Sequence, residues 1–286
     1  DLQITDEERA QHLEALYAKE PILRVEGLQT WYPLRKGVFG RVYDHVKAVD
    51  EVSLEVYEGE TLGLVGESGC GKPTLGRSIL RLVAPTGGKV FFDGVEVTAL
   101  KGRDLRDFRK QAQIVFQDPY SSLNPRISIG EAIAEPMRVH GIESDGKRCR
   151  AMVCDLLEQV GLQATHYGRY PHEFSGGQRQ RICIARALAV NPRLVICDES
   201  VSALDVSVQE QVLNLLNRLK AERKLTYIFI SHDLSVVRFM SDRVLVMCNG
   251  KPVELNDADA LFEHPQNAYT HTLIAALPGQ QSHFVC

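Results

Sequence analysis

Short apolar runs alternate with segments of helical periodicity in the second half of the chain. The apolar runs are Leu194–Cys197, Tyr227–Ile230 and Val244–Met247, and the helical segments between them are Gly177–Val190 and Val206–Ala221. Uninterrupted apolar runs of this length are typical of strands that are buried on both faces. Strands that alternate with helices predict an α/β fold with a parallel sheet.

The first part of the chain has the shorter alternation that is typical of antiparallel strands. Strands are predicted at Ile22–Val25 and Val52–Val56, and a glycine pair followed by Lys89–Val97 predicts a hairpin. The polar segment Pro33–Asp44 is predicted to be a surface loop inserted in this antiparallel region. A short helix is predicted before it, at Glu7–Lys19.

Helical periodicity returns in the middle of the chain, where Ser144 is predicted to open a helix. We therefore predict a single domain over the whole chain. Its core comprises about 22–128 and 181–255, a helical subdomain comprises about 129–180, and a helical tail comprises about 256–286.

The strand Thr61–Val65 leads into a glycine-rich run with the spacing G-x4-G-K, and an apolar helix follows. This order of elements is the context in which such a run binds phosphate. Glycines let successive backbone N–H groups point into one concavity, the helix N-terminus adds positive partial charge, and Lys72 reaches the outer phosphates. The predicted phosphate-binding residues are Gly66, Glu67, Ser68, Gly69, Cys70, Gly71, Lys72, Pro73 and Thr74. The alternative is a set of glycines that only forms a turn.

Position 73 departs from the phosphate-loop pattern. Ser or Thr normally follows the lysine, and its hydroxyl binds Mg²⁺. Pro73 removes that hydroxyl and one backbone N–H, but proline is tolerated in a first helical turn, so we expect the fold to survive. Thr74 has a hydroxyl one position later, which substitutes only if the loop shifts. A natural low-activity site, a deliberate inactivating change and a sequence error are all open explanations of Pro73.

Two carboxylates, Asp198 and Glu199, follow a buried strand. We predict that Asp198 binds Mg²⁺ and that Glu199 acts as the general base on an attacking water. The alternative is an acid pair that caps the next helix. Gln117 also follows a strand and is predicted to reach the metal or the water, and His232 is predicted to contact the γ-phosphate.

A second glycine run follows Phe174 and consists of Ser175, Gly176, Gly177 and Gln178. One nucleotide does not need two such loops from one subunit. We therefore predict that the second run contacts the nucleotide of another subunit, so that two subunits enclose ATP between them. Ser202–Asp205 is a further candidate for this boundary, and the alternative is an ordinary helix N-cap at Asp205.

Composition and charge indicate which partners and which compartment to expect. A formal net charge of −4 and a pI near 6.2 provide no broad basic field, which argues against nucleic acid. The seven cysteines lack the C-x-x-C spacing of zinc sites, and we interpret them as buried small hydrophobes in a reducing compartment. No apolar stretch approaches the roughly 20 residues of a membrane span, and Asp1–Glu20 lacks a signal-peptide core. We expect a soluble chain whose membrane partners are separate subunits.

Taken together, these motifs resemble the ATP-binding subunits of ABC transporters over nearly the whole chain. Three longer runs, 116–126, 169–181 and 201–207, are similar to the oligopeptide and dipeptide importer branch, which includes glutathione and nickel importers. The glutathione-type proteins are the most similar of these. The resemblance implies a P-loop NTPase core with a parallel sheet, an antiparallel β region and a helical subdomain.

The resemblance also implies the cofactors and the role of each residue. ATP and Mg²⁺ are the implied cofactors, with Asp198 for Mg²⁺, Glu199 as the base and His232 as the switch. Ser175–Gln178 would contact the ATP that is held mainly by the partner subunit. Where this chain has Ser200, the family most commonly has proline.

One aromatic residue is expected to stack on adenine upstream of the phosphate loop. The resemblance favours Tyr32, while spacing alone also admits Tyr43.

The implied function is an ATPase that powers import of peptides or similar small solutes, including glutathione, from the cytoplasmic face of a bacterial inner membrane. The implied partners are a second ABC subunit, homologous or identical, two transmembrane permease subunits and, indirectly, a substrate-binding protein. The permease contact is expected at Gln117–Arg126. Two alternatives stay open: a non-hydrolysing regulatory nucleotide-binding subunit, with which Pro73 is compatible, and a non-transport ABC ATPase that acts on nucleic acid or ribosomes.

Overall fold

A computed structural model describes residues 11, 14–36, 41–202 and 204–276. The chain forms two compact units. Of the described residues, the first unit contains those up to 100 and those from 228 to 276, and the second contains those between 101 and 227.

Strands and helices are interspersed along the described residues. The strands are β1 (Pro21–Lys36), β2 (Arg41–Tyr57), β3 (Thr61–Val65), β4 (Gly87–Phe92), β5 (Val95–Glu96), β6 (Ala112–Val115), β7 (Leu194–Asp198), β8 (Thr226–Ile230), β9 (Arg243–Cys248) and β10 (Lys251–Asp257). The helices are α1 (Lys72–Ile79), α2 (Gly102–Gln111), α3 (Pro119–Ser122), α4 (Ile129–Val139), α5 (Gly146–Gln159), α6 (Gly176–Leu188), α7 (Val206–Arg223), α8 (Leu234–Met240), α9 (Ala258–Glu263) and α10 (Ala268–Ala275).

The first unit contains a four-stranded antiparallel sheet in the order β2-β1-β4-β5. Between Ile22 and Thr30, buried residues of β1 alternate with more exposed ones, as expected for a sheet with one face on the core. β4 and β5 form the predicted hairpin, in which Phe92 pairs with Val95.

The prediction of a surface loop at Pro33–Asp44 was wrong. β1 continues to Lys36 and β2 begins at Arg41, with Leu34 paired to Asp44, and residues 37–40 lie outside the described part of the chain. All side chains of residues 41–47 are exposed, so the hydrophobic alternation that identifies a strand is absent there. Backbone hydrogen bonds between the two strands form the ladder without it.

Parallel pairing in the first unit joins β3 to β9, with Leu64 opposite Leu245, and β10 pairs antiparallel with β9. Every residue of β3 is buried, which is why its sequence is apolar throughout. The glycine-rich run therefore leaves the end of a fully buried strand and enters α1. Three helices, α8, α9 and α10, complete this unit.

The second unit contains the parallel pair β6 and β7, with Ala112 opposite Leu194 and Val115 opposite Cys197. Helices α2 to α7 belong to this unit, and the chain passes back to the first unit within β8. The fully buried strand β7 ends at Asp198.

The strands and long helices that were predicted in the second half lie within about two residues of their predicted bounds. The helix predicted to open at Ser144 is capped by Asp145, and the helix predicted from Gly177 begins at Gly176. Residues 14–17 are helical, within the predicted helix at 7–19, whereas residues 1–10 lie outside the described part. The predicted helical subdomain, 129–180, lies wholly in the second unit, and its bounds stay a prediction.

Among the described residues, no helix combines the length and the apolar character that crossing a membrane requires.

Candidate nucleotide-binding and hydrolysis site

The loop between β3 and α1 adopts a backbone path that only glycine fits. Gly66, Gly69 and Gly71 have φ angles of 147°, 82° and 104°, in the region that L side chains rarely adopt. A Cβ atom at Gly71 would overlap the carbonyl oxygen of Ala48, and one at Gly66 would overlap the carbonyl oxygen of Met247. The glycine spacing is therefore required by the loop itself, before any ligand is considered.

Lys72 lies inside this loop, with only 1% of its surface exposed. Its ammonium donates to the carbonyl oxygens of Gly66, at 2.6 Å, and Glu67, at 2.9 Å. An ammonium has three donors, so two of them hold the loop closed around the lysine. A lysine at the N-terminus of a helix that follows a glycine-rich loop is suited to bind phosphate.

Pro73 is the second residue of α1 and leaves the helix intact, as predicted. The N-cap is Gly71, and the first helical hydrogen bond runs from Leu75 N–H to the Gly71 carbonyl at 2.9 Å. Proline is tolerated here because the first N–H groups of a helix have no helical acceptor. What Pro73 removes is therefore one donor and one hydroxyl on the side where a ligand would bind.

The two aromatic candidates for adenine stacking lie on the paired strands β1 and β2. Tyr32 pairs with Val46, two residues before Ala48, whose carbonyl oxygen borders Gly71 of the phosphate loop. Tyr43 lies five residues from Ala48, which is about 17 Å along an extended strand. Both rings are exposed, at 41% and 63%.

The carboxylates after β7 differ in their surroundings. Asp198 is the last residue of the strand and is 2% exposed. Glu199 has a φ of 46°, a conformation that is uncommon for a residue other than glycine and that concentrates at functional sites. Ser202 donates to the Glu199 carbonyl through both its N–H and its hydroxyl, at 3.1 and 3.0 Å.

Gln117 and Glu199 lie together although 82 residues separate them in sequence. Gln117 Nε2 donates to Glu199 Oε2 at 2.8 Å. Both residues follow neighbouring parallel strands, β6 and β7, whose carboxyl ends meet at one edge of the sheet. The second unit therefore brings together two of the residues that the sequence predicts to act on a metal or a water.

His232 is exposed and follows β8 in the first unit. The N–H of its neighbour Ser231 donates to the Leu64 carbonyl at 3.3 Å, next to the end of β3 where the phosphate loop begins. Asp233 caps α8 directly afterwards. These contacts fix the backbone on both sides of the imidazole.

The second glycine run forms the N-terminus of α6. Ser175 accepts from Gln178 N–H at 3.4 Å, and the Gln178 side chain accepts from Ser175 N–H at 3.0 Å, which is a capping box. A Cβ at Gly177 would overlap Cγ1 of Val208, so this glycine is also required for packing of α6 against α7. Asp205 caps α7 through Val208 N–H at 3.0 Å, as the alternative interpretation of that residue proposed.

The sequence model of the ABC transporter family matches residues 49–202, a range that includes the phosphate loop, the second glycine run and both carboxylates. The chain belongs to the ABC transporter family.

Curated relatives of this ABC chain are named as import ATP-binding proteins. The chain is 54% identical over 259 residues to the glutathione import ATP-binding protein GsiA of Escherichia coli strain K12, and 53% identical to that of Salmonella paratyphi A. Each alignment covers 91% of this chain and 41% of the relative. The chain thus spans about two fifths of the length of the curated relatives it matches.

A solved structure shows the same fold. The dimeric ATP-binding cassette MJ0796 bound to ADP and Pi, in a post-hydrolysis state, aligns with a TM-score of 0.73 and 28% identity, covering 82% of this chain and 98% of that one. The predicted family and fold class, including its parallel and antiparallel β parts and helices, are confirmed.

The residues of this ABC chain fit Mg²⁺ only in part. Magnesium is commonly held by one or two carboxylates together with substrate phosphates, and the buried carboxylate Asp198 supplies one ligand of that kind. Position 73 supplies none. Among the described residues, no cluster of three or more His, Cys, Asp or Glu side chains has metal-ligating geometry. A metal here would therefore depend on the nucleotide for most of its ligands.

The cysteines agree with the interpretation as small hydrophobes for the most part. Of the six within the described residues, all are free, and Cys154 and Cys248 are half-buried whereas the others are buried. Burial raises the pKa of the Cys70 thiol inside the phosphate loop, although Lys72 opposes this effect. A protonated thiol is a poor nucleophile, which favours a packing role for Cys70.

Tyr269 is a residue beside the site that the sequence prediction missed. Its hydroxyl accepts a hydrogen bond from Glu67 N–H, in the phosphate loop, at 3.3 Å. The two residues are 202 positions apart, so no local pattern could have joined them. The predicted helical tail was the only relevant signal, because it includes α10, the helix that contains Tyr269.

Proposed function

We propose that this chain binds ATP at its phosphate loop and hydrolyses it as the ATP-binding subunit of a bacterial importer for peptides or similar small solutes. One observation supports this more than any other: the buried Lys72 lies in a glycine loop of the required geometry. The hydrogen bond from Gln117 to Glu199 adds a positioned carboxylate, which is the group that hydrolysis needs as a general base. The names of the relatives favour glutathione as the solute.

Each side chain has a distinct part in this proposal. Lys72 and the loop N–H groups bind the outer phosphates, and Tyr32 stacks on adenine. Glu199 accepts a proton from the attacking water, Gln117 orients that carboxylate, and His232 contacts the γ-phosphate. Magnesium, when bound with ATP, neutralises charge that develops on the phosphates, and Asp198 would hold it.

A second subunit completes the nucleotide site in this proposal. The N-terminus of α6 offers the N–H groups of Gly176 and Gly177, and a helix N-terminus favours anions. We propose that Ser175–Gln178 contacts the γ-phosphate of ATP bound to a homologous or identical partner. Pro73 then weakens Mg²⁺ binding and turnover at this chain's own site, while Ser175–Gln178 still serves the site of the partner.

The permease contact is proposed at Gln117–Arg126. Tyr120 is 66% exposed, with the Arg179 guanidinium 3.9 Å from its ring centre. Beside it lies an open cavity of about 510 Å³ lined by Leu123, Asn124, Glu135 and Arg186, among others. An exposed aromatic ring next to a groove is typical of protein interfaces. Docking here would place the chain on the cytoplasmic face of the membrane, with a substrate-binding protein acting on the opposite side.

A regulatory, non-hydrolysing subunit is the second candidate, and Pro73 is the observation that favours it. A nucleic-acid or ribosome ATPase has no comparable support, because the net charge of −4 offers no basic field.

The test is ATP turnover by the chain assembled with its permease subunits, in membranes, with and without the candidate solute. A catalytic role for this chain's own site predicts that Glu199→Gln lowers solute-stimulated turnover, by about 10²- to 10⁴-fold where that site supplies the turnover, which is the usual contribution of a general base. Turnover that Glu199→Gln leaves unchanged would favour the regulatory role, because hydrolysis would then occur entirely in the partner.

A further inference from the structure

One peptide group of the phosphate loop is held at both ends. The carbonyl of Gly66 accepts from Lys72 Nζ at 2.6 Å, and the N–H of the same peptide, which belongs to Glu67, donates to the Tyr269 hydroxyl at 3.3 Å. Hydrogen bonds on the two ends of one amide polarise it and strengthen each other. The orientation of this peptide therefore depends on a side chain from the C-terminal helix α10.

Tyr269 is itself held in place by a chain of hydrogen bonds from β10. The Glu254 carboxylate accepts from the N–H groups of Gln266, at 2.9 Å, and Asn267, at 3.0 Å. The Asn267 side chain then caps α10 by accepting from Tyr269 N–H at 2.9 Å. The start of α10 is thus anchored to a strand, and the ring of Tyr269 can support the loop from a fixed position.

The backbone at Gly66 does not by itself fix the orientation of the peptide that follows it. Gly66 has a φ of 147°, and glycine offers little resistance to a change in the orientation of the peptide that follows it. If that peptide turned, the Gly66 carbonyl would leave Lys72, and one of the two backbone acceptors that position the ammonium would be lost. Burial raises the pKa of Tyr269 above its ordinary value, so the phenol stays protonated at neutral pH.

We propose that Tyr269 is a positioning residue for the phosphate loop: it fixes the Gly66–Glu67 peptide and, through that peptide, the ammonium of Lys72 that binds the outer phosphates. The inference depends on the proposed role of Lys72 in nucleotide binding. It assigns to α10 a function in ATP binding and not only in packing.

The variant Tyr269→Phe removes the hydroxyl and keeps the ring, and Tyr57→Phe is the matched control. The Tyr57 hydroxyl donates to Glu55 at 3.1 Å on the surface of the same unit, so this variant also removes one tyrosine hydroxyl hydrogen bond. We expect Tyr269→Phe to raise the Kd for ADP about 2- to 12-fold, the range that one ordinary hydrogen bond covers. Tyr57→Phe should bind ADP like the parent chain, and both variants should unfold at the same denaturant midpoint.

A double-mutant cycle separates positioning from general support. In a Lys72→Ala background, Tyr269→Phe should have no further effect on the Kd for ADP, because the ammonium that the peptide positions is gone. The proposal would be overturned if Tyr269→Phe weakened ADP binding equally in the parent and the Lys72→Ala backgrounds. It would also be overturned if Tyr269→Phe bound ADP as tightly as Tyr57→Phe.

Amide hydrogen exchange at Glu67 in the nucleotide-free chain tests the contact independently of any ligand. Exchange should be faster in Tyr269→Phe than in Tyr57→Phe, because the N–H loses its acceptor. Equal exchange rates would refute the inference even if ADP binds. If the parent chain bound no adenine nucleotide, the proposed function would fail, while faster exchange would still support the contact between Tyr269 and the loop.

Discussion

Replacing Pro73 tests directly whether this residue limits the chain's own nucleotide site. The perturbation is Pro73→Ser, which restores two groups at the second residue of α1: a backbone N–H and a hydroxyl. The first helical hydrogen bond starts at Leu75 N–H, so the restored N–H at position 73 has no acceptor within the helix. It is free to donate to a phosphate oxygen.

The two groups contribute separately, and their sizes can be estimated. A hydrogen bond to a charged acceptor contributes about 1.5–3 kcal/mol, which corresponds to about 10- to 160-fold in Kd. The hydroxyl adds a ligand for Mg²⁺, whose stabilisation of the transition state is on the order of several kcal/mol. Loss of the proline ring costs stability by about 0.4–1 kcal/mol, because the unfolded chain gains freedom.

The assay uses Pro73→Ala as the matched control, since alanine restores the N–H without the hydroxyl. ATP affinity should rise in both variants, whereas its dependence on Mg²⁺ and the turnover rate of the assembled complex should rise only in Pro73→Ser. Both should unfold at slightly lower denaturant concentration than the parent. If ATP affinity, its Mg²⁺ dependence and turnover all stay at the parent values in Pro73→Ser, Pro73 does not limit this nucleotide site.

Two further predictions concern stability. Gly177→Ala should lower the free energy of unfolding by about 1–3 kcal/mol through overpacking against Val208, while Gly176→Ala, whose Cβ would lie 3.7 Å from Leu204, should not; chemical denaturation measures both, and equal midpoints would contradict the packing explanation. Burial raises the pKa of Glu60 to about 7 despite Arg243 at 2.9 Å. The folded state therefore binds this proton more tightly than the unfolded state, and the resulting stability should be lost as pH rises from about 4.5 to about 7. Glu60→Gln should flatten that dependence, and an unaltered slope would show that another group titrates.

Local signals were sufficient for the parts of the site that are continuous in sequence. The apolar run ending at Val65, the glycine spacing and Lys72 predict the loop, because strand, turn and helix follow from neighbouring residues. Asp198 and Glu199 were predicted for the same reason, from the buried strand before them. The contact between Gln117 and Glu199 needed one more step, the expectation that parallel strands end at the same edge.

The features that the sequence did not predict lack a hydrophobic pattern or a local partner. Residues 41–47 form a strand although all of their side chains are exposed, and β10 (Lys251–Asp257) contains no buried residue. Helix α2 (Gly102–Gln111) buries only Phe108. Segments that bury so few side chains have the sequence composition of a loop, so their sequence does not predict a strand or a helix. The hydrogen bond between Tyr269 and Glu67 joins residues 202 positions apart, and only tertiary structure reveals it.

The central claim is that two subunits enclose each nucleotide, with the phosphate loop from one and Ser175–Gln178 from the other. A crystal structure of the Glu199→Gln variant with ATP, assembled with its partner subunit or a second copy, tests this most directly. We predict that the N–H of Gly177 lies about 3 Å from a γ-phosphate oxygen of ATP bound to the opposite subunit. A closed, ATP-bound assembly in which Gly177 lies far from every nucleotide of the opposite subunit would contradict it.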